Sequence, residues 1–77
     1  MSNLRIWKIT LENGVQDFYT SRKKAEQRAQ AHLRYFHECP RDNVKVEKVG
    51  EYMGNVSAYN PETDKYHSLW IEVVDVF

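Results

Sequence analysis

The sequence predicts an α+β domain with a single helix packed on one face of an antiparallel sheet, in the order β-β-α-β-β-β. Three observations predict this class. Two strand-like segments flank an Asn-Gly pair, an apolar stripe at helical spacing follows them, and three further strand-like segments come after it. The 77 residues have the length of one domain, so we expect residues 1–77 to fold together.

The first two predicted strands are Leu4–Leu11 and Val15–Thr20. Asn13 and Gly14 between them are the strongest short hairpin signal, because a type I′ turn needs positive φ at both central positions. A two-residue turn there sets the pairing. It places Ile9 opposite Phe18 and Trp7 opposite Thr20, with Tyr19 on the face opposite to Trp7, Ile9, Leu11 and Phe18.

The predicted helix runs over residues 21–38, with Thr20 or Ser21 as its N-cap. Cys39-Pro40 ends it, because the residue before a proline is disfavoured in helical conformation. At about 100° per residue, one stripe of side chains faces the sheet. Its members are Ala25, Ala29, His32, Leu33 and Phe36.

Three more strands are predicted at Val44–Val49, Tyr52–Tyr59 and Tyr66–Phe77, with residues 60–65 as a turn between the last two. Pairing of Tyr59 with Tyr66 brings Val56 opposite Leu69 and Asn55 opposite Trp70. The expected core members are Tyr52, Val56, Ala58, Leu69, Ile71 and Val73, and Met53, Tyr59, Tyr66 and Trp70 are expected on the other face.

Composition narrows the class of protein. A hydrophobic fraction of 42% and a charged fraction of 29% are ordinary for a globular domain. The longest apolar runs are a few residues, short of a membrane span, and the start of the chain does not have the pattern of a signal peptide. The single cysteine, Cys39, has no partner for an internal disulfide, so we expect a cytoplasmic protein.

The residues expected of an enzyme or a metal site are not found in the usual patterns. Cys39 lies near the end of the predicted helix, where the dipole opposes a thiolate. His32 and His37 are five residues apart, which on an α-helix turns them about 140° from each other. The glycines do not have phosphate-binding spacing. We therefore predict a protein that is not an enzyme and has neither a metal site nor a cofactor.

Charge is sorted along the chain although the net charge is zero. Residues 21–38 carry five basic and two acidic side chains, whereas residues 39–77 carry four basic and seven acidic ones. The predicted helix therefore has a basic stripe suited to an acidic protein surface or a phosphate backbone. Its members are Lys23, Lys24, Gln27, Arg28 and Arg34.

Ten aromatic residues are more than one helix on a small sheet can enclose. The predicted register places four of them on the sheet face away from the helix: Tyr19, Tyr59, Tyr66 and Trp70. Because tyrosine and tryptophan are frequent interface anchors, we expect this face to contact a partner protein or a second copy of the chain. The apolar residues 73–77 are expected either in a central strand or at an edge that extends a partner's sheet.

The segments WKITLENG, SRKKAEQRA and VKVEKV resemble small phage-encoded proteins that inhibit host machinery or defence systems. That resemblance implies stoichiometric inhibition by occupying a surface of a host enzyme or nucleoprotein complex. We therefore predict a protein-binding domain. The alternative is a single-stranded nucleic-acid binder that stacks bases on the sheet aromatics and holds phosphates with the basic helix, although the net charge of zero weighs against it.

Overall fold

A computed structural model describes residues 4–12 and 14–76. Its elements in chain order are β1 (Leu4–Thr10), β2 (Gln16–Tyr19), α1 (Arg22–Ala31), a π-helical turn (His32–Phe36), a 3-10 turn (Arg41–Asn43), β3 (Val44–Lys48), β4 (Met53–Asn60) and β5 (Lys65–Val76). The predicted α+β class and the order β-β-α-β-β-β are confirmed. Within those residues, every helix is too short and too polar to cross a membrane.

The five strands form one sheet in the order β2-β1-β5-β4-β3, and each neighbouring pair is antiparallel. β5 is the central strand, hydrogen-bonded to β1 on one side and to β4 on the other. β5 is central as a strand, but its C-terminal segment is central only as far as Val73, whose N–H donates to the Tyr52 carbonyl (2.9 Å). Residues 74–76 are paired with β1 on one side, beyond the end of the β4 ladder at Met53 and Glu72, and Phe77 lies outside the described residues. β2 and β3 are the edges of the sheet.

The core lies between α1 and the sheet face formed by alternate residues of β1, β5 and β4. Ala25 and Ala29 are fully buried, and their small side chains let the helix axis approach the strands closely. The other buried apolar residues are Trp7, Ile9, Leu11, Leu33, Cys39, Val56, Ala58, Leu69 and Ile71, with Val73 and Tyr19 packed against them.

The register of the β4–β5 hairpin is confirmed. Tyr59 is opposite Tyr66, Val56 is opposite Leu69, and Asn55 is opposite Trp70. Among the core residues expected from the last two strands, Tyr52 is the exception, because it precedes β4 and is exposed.

The register predicted for the first hairpin is wrong by one residue. Leu11 N–H donates to the Val15 carbonyl (2.9 Å) and Gly14 N–H to the Leu11 carbonyl (3.0 Å), so three residues separate the closing pair. Gly14 has the positive φ (85°) of the glycine that completes a three-residue hairpin loop. Asn13, the first residue of the predicted type I′ turn, lies outside the described residues. Trp7 is consequently opposite Tyr19, and Lys8 is opposite Phe18.

The helix begins as predicted and changes its geometry before the predicted end. Ser21 is the N-cap, and its Oγ accepts a hydrogen bond from Lys24 N–H (3.1 Å). After Ala31 the chain continues as a π-helical turn, in which His37 N–H donates to the His32 carbonyl (3.3 Å). The wider turn alters the phase of the stripe, so Phe36, expected in the core, is 71% exposed.

Arg22 fastens the start of α1 to the sheet. Its Nη2 donates to the Met53 carbonyl (2.9 Å), and its guanidinium lies 5.0 Å from the ring centre of Trp7. A Cβ on Gly54 would lie only 2.9 Å from that Nη2, so the glycine leaves room for the contact. Glu26, one turn later, completes the arrangement through an ion pair with Arg22 Nε (3.2 Å). These contacts explain a positive side chain in a first turn, where the helix dipole disfavours it.

Arg22→Met retains the aliphatic part of the side chain and removes the guanidinium. We expect it to lower the free energy of unfolding by about 1–3 kcal/mol, because charge-assisted hydrogen bonds to a carbonyl and a carboxylate are lost. Lys23→Met is the matched control, since Lys23 is exposed, and it should change stability by less than about 0.5 kcal/mol. Urea denaturation measures both; equal losses would show that Arg22 does not anchor the helix.

Candidate functional site

The sheet face opposite α1, here called the open face, presents a row of exposed large side chains. Within the described residues, α1 packs on the other side of the sheet, and the 3-10 turn borders one end of the open face through Asp42 and Asn43. Tyr66 is 67% exposed and Trp70 is 44% exposed, although both belong to the central strand. The exposed large hydrophobic residues of the open face are Phe18, Met53, Tyr59, Tyr66, Trp70 and Val74.

The sheet holds these aromatic side chains in fixed positions. Trp70 stands between Thr10 of β1 and Asn55 of β4, directly opposite each in the two ladders. Tyr66 Oη donates to the Oγ of Ser57 (2.9 Å), a buried residue of β4. The paired strands fix the backbone at Tyr66 and Trp70, so these residues need little backbone ordering before a partner binds.

A shallow depression of about 170 Å³ lies at one end of the open face. It is lined by Asp42, Asn43, Lys45, Tyr59 and Tyr66. Asn43 joins two parts of this lining, because its side-chain amide donates to the Tyr59 carbonyl (2.9 Å). Pockets for small-molecule ligands are typically larger, about 300–1,000 Å³, so this depression is too small for most of them.

Tyr59 at this depression donates a hydrogen bond to the Asp64 carboxylate. That bond, with a contribution from desolvation, raises the pKa of Tyr59 above its ordinary value. The phenol is thereby kept protonated. Asp64 itself has a positive φ (55°), a conformation that Asp and Asn tolerate better than most residues.

Two corrections follow from the register of the first hairpin. Tyr19, predicted on the open face, lies on the helix side and packs partly buried against the core. Phe18, predicted in the core, is exposed on the open face instead. The other three predicted residues, Tyr59, Tyr66 and Trp70, lie on the open face as expected.

The predicted basic stripe is only partly available for binding. Lys23, Lys24 and Gln27 are exposed on α1. Arg28 Nε lies 3.6 Å from a carboxylate oxygen of Asp17 on β2, and the Arg34 guanidinium lies over the Tyr35 ring at 5.1 Å. Two of the five residues are therefore engaged within the chain. The stripe lies on the helix side of the sheet and the open face on the other side.

Lysines and glutamates are equal in number along the described strands of the open face, and Asp42 and Asp64 add negative charge at its depression. Lys8 is directly opposite Glu72 in the β1–β5 ladder. Lys45 and Glu47 lie two residues apart on the edge strand β3, so both are on the open face, opposite Ser57 and Asn55 respectively. Two lysines and two glutamates therefore surround the aromatic row.

A second cluster lies on the helix side of the sheet, where all three histidines of the chain surround Glu12. Nε2 of His32 lies 3.1 Å from Glu12 Oε2, and Nε2 of His37 is hydrogen-bonded to Glu12 Oε1. The ring of His67 stacks on that of His37, with centroids 3.8 Å apart. Glu12, His37 and His67 each offer a ligand atom, and these atoms lie within 4.8 Å of one another, so they are the residues able to hold a metal ion.

The predicted divergence of His32 and His37 is wrong, because the chain between them is π-helical. A π-helical turn hydrogen-bonds residue i to residue i+5, so two residues five apart lie one turn apart on the same side. The tertiary fold then supplies the other members. Glu12 follows β1 and His67 lies near the start of the neighbouring β5, so both are at the same end of the sheet.

Neighbouring polar groups hold the cluster in place. Asn60 is buried and its amide donates to the His37 carbonyl (2.8 Å). Partial desolvation favours a higher pKa for the Glu12 carboxyl, but hydrogen bonds from its own backbone N–H and from His37 and His32 outweigh it, so the pKa lies below its ordinary value. Desolvation by burial is the main cause that lowers the pKa of His67 from its ordinary value, with a smaller electrostatic contribution from His37.

Cys39 lies close to this cluster in sequence and is not part of it. The thiol is buried, and burial raises its pKa above the ordinary value. Its Sγ donates a weak hydrogen bond to the His37 carbonyl, at 3.9 Å. A raised pKa is the opposite of what activates a nucleophilic cysteine.

Comparison of the chain with protein-family models, with curated proteins and with solved structures finds no match in any of the three. The resemblance to phage-encoded inhibitors therefore stays a prediction.

Asp64→Asn removes the charge that accepts the Tyr59 hydrogen bond and keeps a residue that tolerates positive φ. We expect the pKa of Tyr59 to fall toward its ordinary value, because the carboxylate no longer favours the protonated phenol. The ultraviolet absorbance of the phenolate measures it, and subtracting the titration of Tyr59→Phe isolates this tyrosine from the other four. An unchanged titration would show that Asp64 does not hold Tyr59.

Proposed function

We propose that this protein is a non-enzymatic binding domain that attaches one partner protein, stoichiometrically, through the open face. The observation that carries the proposal is the row of exposed aromatic side chains on a sheet whose other face is covered by α1. Solvating large apolar side chains is unfavourable, and burying tyrosine and tryptophan supplies much of the binding energy of protein interfaces.

The charge on the open face favours a protein over a nucleic acid. Binding to a phosphate backbone needs an excess of Lys and Arg, because its affinity comes largely from neutralising phosphates and releasing counterions. Lys8 and Lys45 are balanced there by Glu72 and Glu47. The exposed basic residues Lys23 and Lys24 lie on the helix side, so one nucleic-acid strand cannot easily use them together with the aromatic row.

The composition of the open face favours a different protein over a second copy. Interfaces of permanent homodimers resemble a core cut in half, with few interspersed charges. The open face instead mixes Trp70 and Tyr66 with Lys8, Glu72 and Asn55, which is typical of interfaces between proteins that also exist apart. Occupying a surface of a partner in this way is the mode of action that the resemblance to small phage-encoded inhibitors implies.

Trp70→Ala tests the proposal. Proteins captured on the immobilised chain are identified, and each candidate is purified and titrated against the chain by calorimetry. We expect a stoichiometry of one to one and an affinity loss of about 30-fold or more in Trp70→Ala, because it removes a central aromatic anchor. Its urea midpoint should stay close to that of the unmodified chain, since Trp70 lies outside the core.

The matched control is Lys23→Glu with Lys24→Glu, which changes the exposed helix and leaves the open face intact. We expect its affinity for the same partner to be unchanged. Three results would contradict the proposal: an affinity lost in the helix variant but not in Trp70→Ala, a dimer by light scattering that Trp70→Ala dissociates, or oligonucleotide binding with a steep salt dependence.

A further inference from the structure

The cluster of Glu12, His37 and His67 combines three elements that are distant in sequence: the loop after β1, the end of the helix and the start of β5. One carboxylate oxygen and two imidazole nitrogens face one another within 4.8 Å. The site lies on the helix side of the sheet. It is therefore independent of the open face and of the function proposed for it.

We propose that Glu12, His37 and His67 bind one Zn²⁺ ion, with solvent in the fourth coordination position. Two imidazoles and one carboxylate form a donor set that zinc takes in proteins, with bonds of about 2.0–2.2 Å. Ca²⁺ and Mg²⁺ prefer sites made of oxygen ligands, so the two nitrogen donors select against them. Three protein ligands leave the coordination open to water.

The distances are those of a site that closes by small side-chain movements. Tetrahedral ligands at such bond lengths are about 3.3–3.5 Å apart, and the three donor atoms begin within 4.8 Å of one another. Glu12 is exposed and His67 is half-buried, so both side chains have room to rotate. Glu12 Oε1 already contacts His37 Nε2. When a metal takes the place of the proton between them, His37 binds as a neutral imidazole that carries its one proton on Nδ1, and any second proton passes to solvent.

Two neighbours act as positioning residues for these ligands. His32 Nε2 lies 3.1 Å from Glu12 Oε2, so it directs the other carboxylate oxygen, Oε1, toward the two histidines. Asn60 holds the backbone of His37 through its carbonyl. Outer residues of this kind fix ligand orientation in metal sites. Their presence distinguishes this cluster from a chance grouping of polar side chains on a surface.

A bound metal would join the first hairpin, the helix end and the central strand. The unfolded chain does not bring Glu12, His37 and His67 together, so zinc binds the native state preferentially and stabilises it by mass action. Zinc should therefore raise the melting temperature of the protein.

The test uses the full chain, prepared without a histidine tag and stripped of metal, with Zn²⁺ itself as the titrant in calorimetry. We expect one ion per chain. Glu12→Gln, His37→Ala and His67→Ala should each weaken zinc binding by about tenfold or more, whereas Glu38→Gln, an exposed carboxylate beside His37, should not change it. Circular dichroism of each metal-free variant shows whether it is folded.

Co²⁺ in place of Zn²⁺ gives a visible spectrum that reports its ligands, so it separates binding at this cluster from binding elsewhere. We expect the spectrum to be lost in His67→Ala and retained in His32→Gln, whose affinity should fall about 10–100-fold because only the carboxylate is misdirected. The proposal would be overturned if the folded chain does not bind zinc. It would also be overturned if the folded variants Glu12→Gln, His37→Ala and His67→Ala bind zinc as tightly as the unmodified chain.

Discussion

The structure depends on one constraint: a single helix is available to cover a five-stranded sheet. The helix buries the face formed by alternate residues of β1, β5 and β4, and close approach at Ala25 and Ala29 lets it contact these strands. Side chains of a strand alternate between faces, so each residue buried beneath the helix has neighbours directed to the other side. The covered core and the open face with Trp70 are therefore two consequences of the same packing.

The two candidate sites divide between the two sides of the sheet. The open face offers exposed aromatic groups interspersed with charged side chains of both signs, which suits reversible contact with another protein. The histidine cluster lies at one end of the helix side, where the loop after β1 and the end of the helix meet β5. A metal ion bound at the cluster would stabilise the fold, whereas a partner on the open face would bind a surface that the fold already presents.

Much of the fold could be predicted from the sequence because its patterns are local. The order of elements, the Ser21 cap and the β4–β5 register are each set by nearby residues. The first hairpin shows where local patterns are ambiguous. An Asn-Gly pair fits a two-residue turn, and its glycine also fits the end of a three-residue loop. The loop length decides the register, and with it whether Phe18 or Tyr19 lies on the open face.

The histidine cluster could not be predicted, because the spacing rule for His32 and His37 assumes an α-helix and the chain there forms a π-helical turn. Its other members depend on tertiary structure. Glu12 and His67 are 55 positions apart in the sequence. The antiparallel pairing of β1 with β5 brings the end of β1, which precedes Glu12, close to the start of β5, which contains His67. Similarly, the role of Arg22 becomes visible only with Met53 and Trp7 beside it.

The central claim, one covered and one open face, is tested most directly by the two tryptophans of the chain. Trp7 is 8% exposed beneath the helix, and Trp70 is 44% exposed on the open face. Trp70→Phe leaves Trp7 as the one tryptophan, and Trp7→Phe leaves Trp70, so excitation at a wavelength that tyrosine does not absorb reports on each separately. Acrylamide should quench Trp70 strongly and Trp7 weakly in the folded variants; equal protection of both would contradict the account, because it would mean that the open face is covered.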